Sequence, residues 1–172
     1  MRQATFIERR VAFGWTFTRL ALPAGGSYGY LLPADTPRAS LPAVSFWTVG
    51  RVTGVNMTTG NAVADRVPGV LTSELPATVR AGRFVLTAQE YSEWWCVAAS
   101  SNMGQLPGLT RLVAQAGVVT PITPGERIMI CSGVCQIDDQ VLRAGDSVLV
   151  EQAGELRAGT DILGLYFDRS LA

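Results

Sequence analysis

Toward its C-terminal end the chain alternates short apolar runs with Gly, Asp and Pro. Arg127-Ile-Met-Ile-Cys131 follows the turn signal Pro124-Gly125, and Ser132-Gly133 breaks it. Val134-Cys-Gln-Ile137 resumes the pattern until Asp138-Asp139. Val141-Leu142 then leads into Ala144-Gly145-Asp146, and Ser147-Val-Leu-Val150 follows. After the punctuated stretch Gln152–Gly159, Asp161–Phe167 closes the series. Five short strands in about forty residues is the spacing of a β-sandwich or barrel. Leu142, Val148 and Val150 are read as core positions, Val148 and Val150 by period-2 alternation after the turn.

The same rhythm runs through the rest of the chain. Thr5–Ile7, Val11–Leu22, Tyr28–Leu32, Val44–Val49 and Arg51–Val55 read as strands, with a turn at Gly25-Gly26 and another at Thr58–Asn61. Phe13, Trp15 and Phe17 alternate with small or polar residues and share one face. Thr87 with Glu90 fits a helix capping box over Ala88–Ala99, but Trp94-Trp95-Cys96-Val97 favours a strand. Adjacent Trp94 and Trp95 then point to opposite faces. Met103–Gly117 reads as an ordered loop or one short helix from Thr110 to Ala116. A weak internal repeat pairs Thr78–Leu86 with Leu142–Val150, and Trp94–Val97 with Ile162–Phe167. The expectation is all-β: one jelly-roll or cupin-like sandwich or barrel over 1–172, with at most one or two short helices. Residues 1–10 form a candidate N-terminal arm and 33–42 a Pro-rich loop.

Composition narrows the chemistry. The 172 residues can bury a core without a staple. No apolar stretch approaches the length of a membrane helix, so no membrane partner is expected. Glu8, Arg9 and Arg10 stand where a secretory leader needs an apolar run. Every basic residue is Arg. Residues 1–86 carry nine Arg and four acids, and 87–172 five Arg and ten acids, giving +5 and −5. No dense basic run indicates specific nucleic-acid binding. Cys96, Cys131 and Cys135 sit among apolar neighbours and read as buried thiols. The chain has no His, which removes Ser-His-Asp and Cys-His nucleophiles and ordinary zinc or facial-triad iron sites. Neither a P-loop nor a dinucleotide fingerprint is present. Catalytic, metal and cofactor residues are therefore expected to be none, and the balance leans away from an enzyme.

Gly133, Asp138-Asp139, Leu142-Arg143-Ala144-Gly145-Asp146 and Val148–Val150 resemble the cupin superfamily's strand-turn element. That resemblance implies a β-barrel. It places the family's metal-ligand histidine near Leu156 or Arg157, and the paired-histidine motif has no counterpart. With catalytic groups missing, charge opposed and a Pro-rich segment available, the leading expectation is an assembly protein. In general character the chain resembles phage structural proteins, which implies a capsid decoration or virion adaptor subunit. That subunit would be a homo-oligomer, with a trimer favoured, docked on a larger scaffold such as a capsid protein. It would reside in the virion if of phage origin and otherwise in the cytoplasm. The alternatives are a non-metal cupin-like module binding a small molecule or carbohydrate, and a carboxylate enzyme built on Glu90 and Glu93. Candidate ligand or interface residues are Phe6, Arg9, Arg10, Trp15, Tyr28, Tyr30, Glu90, Glu93, Trp94 and Trp95.

Overall fold

Turns that demand positive φ cut this chain into short strands, and the same turns recur twice along it. The computed structural model describes residues 4–32, 44–56, 62–72, 82–99 and 108–167, with no helix among them. The chain divides into two compact units, Met1–Leu106 and Pro107–Ala172. The N-terminal unit holds β1 (Thr5–Ala12), β2 (Trp15–Leu22), β3 (Ser27–Leu32), β4 (Val44–Val49) and β5 (Val52–Asn56). It continues with β6 (Ala62–Arg66), β7 (Leu71–Thr72), β8 (Gly82–Ala88) and β9 (Ser92–Ala99). The C-terminal unit holds β10 (Leu109–Ala114), β11 (Val119–Ile122), β12 (Arg127–Ser132) and β13 (Val134–Ile137). Its last strands are β14 (Gln140–Arg143), β15 (Ser147–Leu149), β16 (Gly154–Ala158) and β17 (Ile162–Phe167).

The N-terminal sheets have the orders β1-β2-β9-β4-β7 and β3-β8-β5-β6; the C-terminal sheets are β10-β17-β12-β15 and β11-β16-β13-β14. Advancing each strand from β2 to β9 by eight reproduces the C-terminal orders, so the chain carries one jelly-roll topology twice, with β1 added at an edge. The turns agree. Gly50 (φ 82°) and Gly133 (φ 91°) each precede the third strand of the second sheet's path, β5 and β13. A Cβ at Gly50 would collide with Tyr91 and Ser92 at the start of β9, and one at Gly133 with Asp161 and Ile162 at the start of β17. Gly69 donates to the Trp47 carbonyl as Gly145 donates to that of Ile130, both at 2.8 Å.

Within each unit the two sheets face one another over a core. In the C-terminal unit Leu112, Ile128, Ile130, Cys135, Ile137, Leu142, Val150, Leu156 and Ile162 interlock as an apolar interior. Leu142 and Val150 are buried, and Val148 packs half-buried against them. The N-terminal core comprises Leu22, Trp47, Val52, Leu86, Ala88, Trp94 and Cys96. All three cysteines are buried thiols, as their apolar neighbours predict.

Several expectations change. The single jelly roll over 1–172 is replaced by two units of one topology; eight short strands suffice for each sandwich. Residues 5–10 are no free arm, because β1 pairs with β2 from Thr5 to Ala12. The run Val11–Leu22 is interrupted at Phe13-Gly14, whose φ values of 55° and 78° form a two-residue hairpin turn. Phe at such a position hides the turn from a reading based on turn formers. Thr110–Ala116 holds no helix: in β10, Leu112 and Ala114 are buried while Arg111 and Val113 are exposed, a period of two. The loop 33–42 and the turn at Thr58–Asn61 lie outside the described residues.

Candidate ligand site in the N-terminal barrel

Strand pairing places Trp47 of β4 directly across from Trp94 of β9. Their rings stack with centroids 4.5 Å apart and planes 28° apart. Tyr28 of β3 meets Trp94 edge-on at 5.6 Å. Both tryptophans are fully buried, and neither indole Nε1 has a hydrogen-bond acceptor. An indole N–H can only donate, and leaving a donor buried without an acceptor costs about 1–3 kcal/mol. Arg66 of β6 lies opposite Val52 of β5 and so shares its core-facing side. Its side chain is fully buried. Guanidinium is always charged and donates without accepting.

The duplicated topology supplies an internal control. The Gly69/Gly145 correspondence places Trp47 at the position of Ile130, and Arg66 at that of Leu142. Trp94 opposite Trp47 corresponds to Gly164 opposite Ile130. Three positions that are Ile, Leu and Gly in one interior are thus Trp, Arg and Trp in the other. The four buried polar side chains among the described residues, Ser45, Thr48, Arg66 and Ser92, all belong to the N-terminal unit.

The opposite face of the β1-β2-β9-β4-β7 sheet carries a second cluster. Arg19 bonds Glu93 at 2.8 Å, lies 3.5 Å from Glu8, and sits over the Trp95 ring at 5.7 Å. Tyr91 donates to the other Glu93 oxygen at 2.7 Å, which raises its phenol pKa, with burial adding to the effect. The network ties β1, β2 and β9 together and occupies both Glu93 oxygens.

Of the residues singled out from sequence, Tyr28 and Trp94 meet in the N-terminal core. Trp15 and Trp95 are buried on the sheet's other face, Trp95 beside Arg19. Glu93 joins the Arg19 network, while Glu90 is exposed in the turn before β9, so the two carboxylates do not form a pair. Phe6, Arg9 and Arg10 are exposed on β1. Tyr30 lies opposite Phe84 on β3, and its side chain is outside the described residues. Sequence reading missed Trp47, which sits inside the ordinary-looking run Val44–Val49, and Arg66, which ends Ala62–Arg66.

A cupin metal does not fit here. Of the two positions expected for the histidine, Leu156 is buried in the apolar core and Arg157 is exposed. No group of three His, Cys, Asp or Glu side chains among the described residues is arranged to hold a metal. The N-terminal cluster offers donors and a cation, which repel a metal ion. Two depressions on the C-terminal unit, about 360 and 650 Å³, are lined mainly by exposed side chains such as Gln136, Asp138, Glu151 and Arg157.

No protein-family model and no curated protein sequence matches the chain. Solved structures do. YhhW from Escherichia coli has a TM-score of 0.54 at 13% identity, over 89% of this chain and 80% of its own. YhaK from Escherichia coli has 0.53 at 12% identity, over 98% and 93%. A conserved protein of unknown function from Pseudomonas aeruginosa has 0.56 at 11% identity, over 96% and 87%. The fold is all-β, a cupin-like jelly roll. At these identities the likeness concerns the fold alone, and it lends no support to a virion origin. On this cupin-like framework, the N-terminal core differs from its twin in the buried donors of Trp47, Trp94 and Arg66.

Proposed function

We propose that the protein binds a small acceptor-bearing organic molecule, most readily an anion, inside its N-terminal barrel. The supporting observation is the pair of fully buried indole N–H groups on Trp47 and Trp94 without acceptors, in a core whose topological twin carries Ile130 and Gly164 at those positions. A carboxylate or carbonyl presented to them would supply the acceptor, Arg66 would favour negative charge, and Tyr28 with the two indoles would enclose the apolar body. The assembly reading of the sequence gains nothing from the fold likenesses, whereas a binding module accords with them.

The test uses thermal unfolding and tryptophan fluorescence across matched small carboxylates and their neutral amides. A binding carboxylate at a hundredfold excess over its Kd should stabilise the protein by about 2.7 kcal/mol. Arg66→Leu and Trp47→Ile import residues that the C-terminal twin carries at these positions. Each should remain folded by circular dichroism and bind at least tenfold more weakly. Responses that survive both substitutions, or no response to any carboxylate, would overturn the proposal.

A further inference from the structure

The strand β1 has no counterpart in the C-terminal unit, where β10 takes the position of β2 at the sheet edge. The chain therefore adds one strand to one sheet, and among the described residues no strand pairs with its outer edge. Phe6 is 57% exposed, Ile7 39% and Val11 69%. The strand carries no proline, and beyond the bulge between Phe6 and Glu8 its regular ladder from Glu8 to Ala12 is a template for another strand.

The hairpin fixes which backbone groups face outward. A two-residue loop is flanked by a hydrogen-bonded pair, here Ala12 and Trp15, and such pairs alternate along the ladder. Arg10 with Phe17 and Glu8 with Arg19 are then bonded inward. The N–H and C=O of Arg9 and Val11 point away from β2. From this geometry we infer that β1 is a homodimer edge, pairing antiparallel with β1 of a second copy in the register centred on Arg9.

That register is selected by charge. A two-fold axis through Arg9 places Glu8 of each copy opposite Arg10 of the other, in the closer non-hydrogen-bonded spacing of about 4.5 Å between Cα atoms. Centring on Glu8 or Arg10 would place like charges opposite at that same close spacing, which is destabilising. The chosen register does bring Arg9 opposite itself, but in the wider hydrogen-bonded spacing of about 5.5 Å and with exposed side chains free to diverge. Ile7 and Val11, both exposed, then cover one another across the interface. Glu8 and Arg10 already lie 3.5 Å apart within each chain, so pairing exchanges two internal contacts for two reciprocal ones, and the alignment of unlike charges sets the register.

Sedimentation or light scattering of the full chain over a wide concentration range should show mass rising toward twice 18.4 kDa. Arg10→Glu and Glu8→Arg should each be monomeric at concentrations where the parent is dimeric. An equimolar mixture should recover the dimer, because each variant supplies the charge the other lacks. Arg9→Pro removes an outward amide without touching the inward ladder and should also give monomers; melting curves confirm that each variant is folded. A parent that stays monomeric, a trimeric mass, an Arg10→Glu variant that still dimerises, or a mixture that does not would each overturn the inference.

Discussion

Gly133 shows how one residue holds a turn in place. At φ 91° any side chain is strained, and a Cβ would strike the Asp161 carbonyl. Gly133→Ala should therefore lower stability by about 1–3 kcal/mol in chemical denaturation, whereas alanine at Gly117, with nothing near its Cβ, should cost less. Burial, with Asp146 adding a smaller effect, pushes the Cys135 thiol up to about 11 from 9.0. The folded state thus retains a proton that the unfolded chain loses, so stability falls as pH rises from about 9 toward 11. At pH 8 Cys135 should resist alkylation in the native protein and react in denaturant, as read by mass spectrometry. The glycine and the buried thiols were legible in the sequence because their neighbours reveal them. Arg66 was not, since nothing local in Ala-Asp-Arg-Val-Pro distinguishes a buried arginine from a solvated one.

Among elements, the strands from β12 to β15 were readable because Gly and Asp separate strongly apolar runs. Burial grades their core positions. Leu142→Ala should cost about 2–5 kcal/mol, and Val148→Ala clearly less because Val148 is only half-buried; paired melting curves check the order. The hairpin between β1 and β2 escaped notice because Phe13 occupies a φ that Asn or Gly usually takes. β10 was obscured by its neighbours, and β16 by the polar residues that alternate along it. Trp94 and Trp95 point to opposite faces of β9, the arrangement that their adjacency in a strand requires.

At the level of the whole molecule, the duplicated topology was only half visible. Matching Trp94–Val97 with Ile162–Phe167 links β9 to β17, the correct equivalence. Matching Thr78–Leu86 with Leu142–Val150 links β8 to β15, whereas topology pairs β8 with β16. A glycine turn launching a strand is too generic to fix register between repeats. The charge contrast persists at the unit boundary: residues 1–106 hold nine Arg and six acids, +3, and 107–172 five Arg and eight acids, −3. Fields of this kind steer encounters more than they hold complexes together.

The stacked pair Trp47 and Trp94 also has an optical consequence. Two indoles 4.5 Å apart couple their excited states, so the far-ultraviolet spectrum should carry an exciton couplet against a background free of helix among the described residues. Trp47→Phe or Trp94→Phe should each abolish the whole couplet rather than half of it, while Trp15→Phe should leave it in place. All four tryptophans of the chain belong to the N-terminal unit. The molecule thus carries its own spectroscopic probe on one unit only, and tryptophan emission follows the fate of that barrel while its twin stays dark.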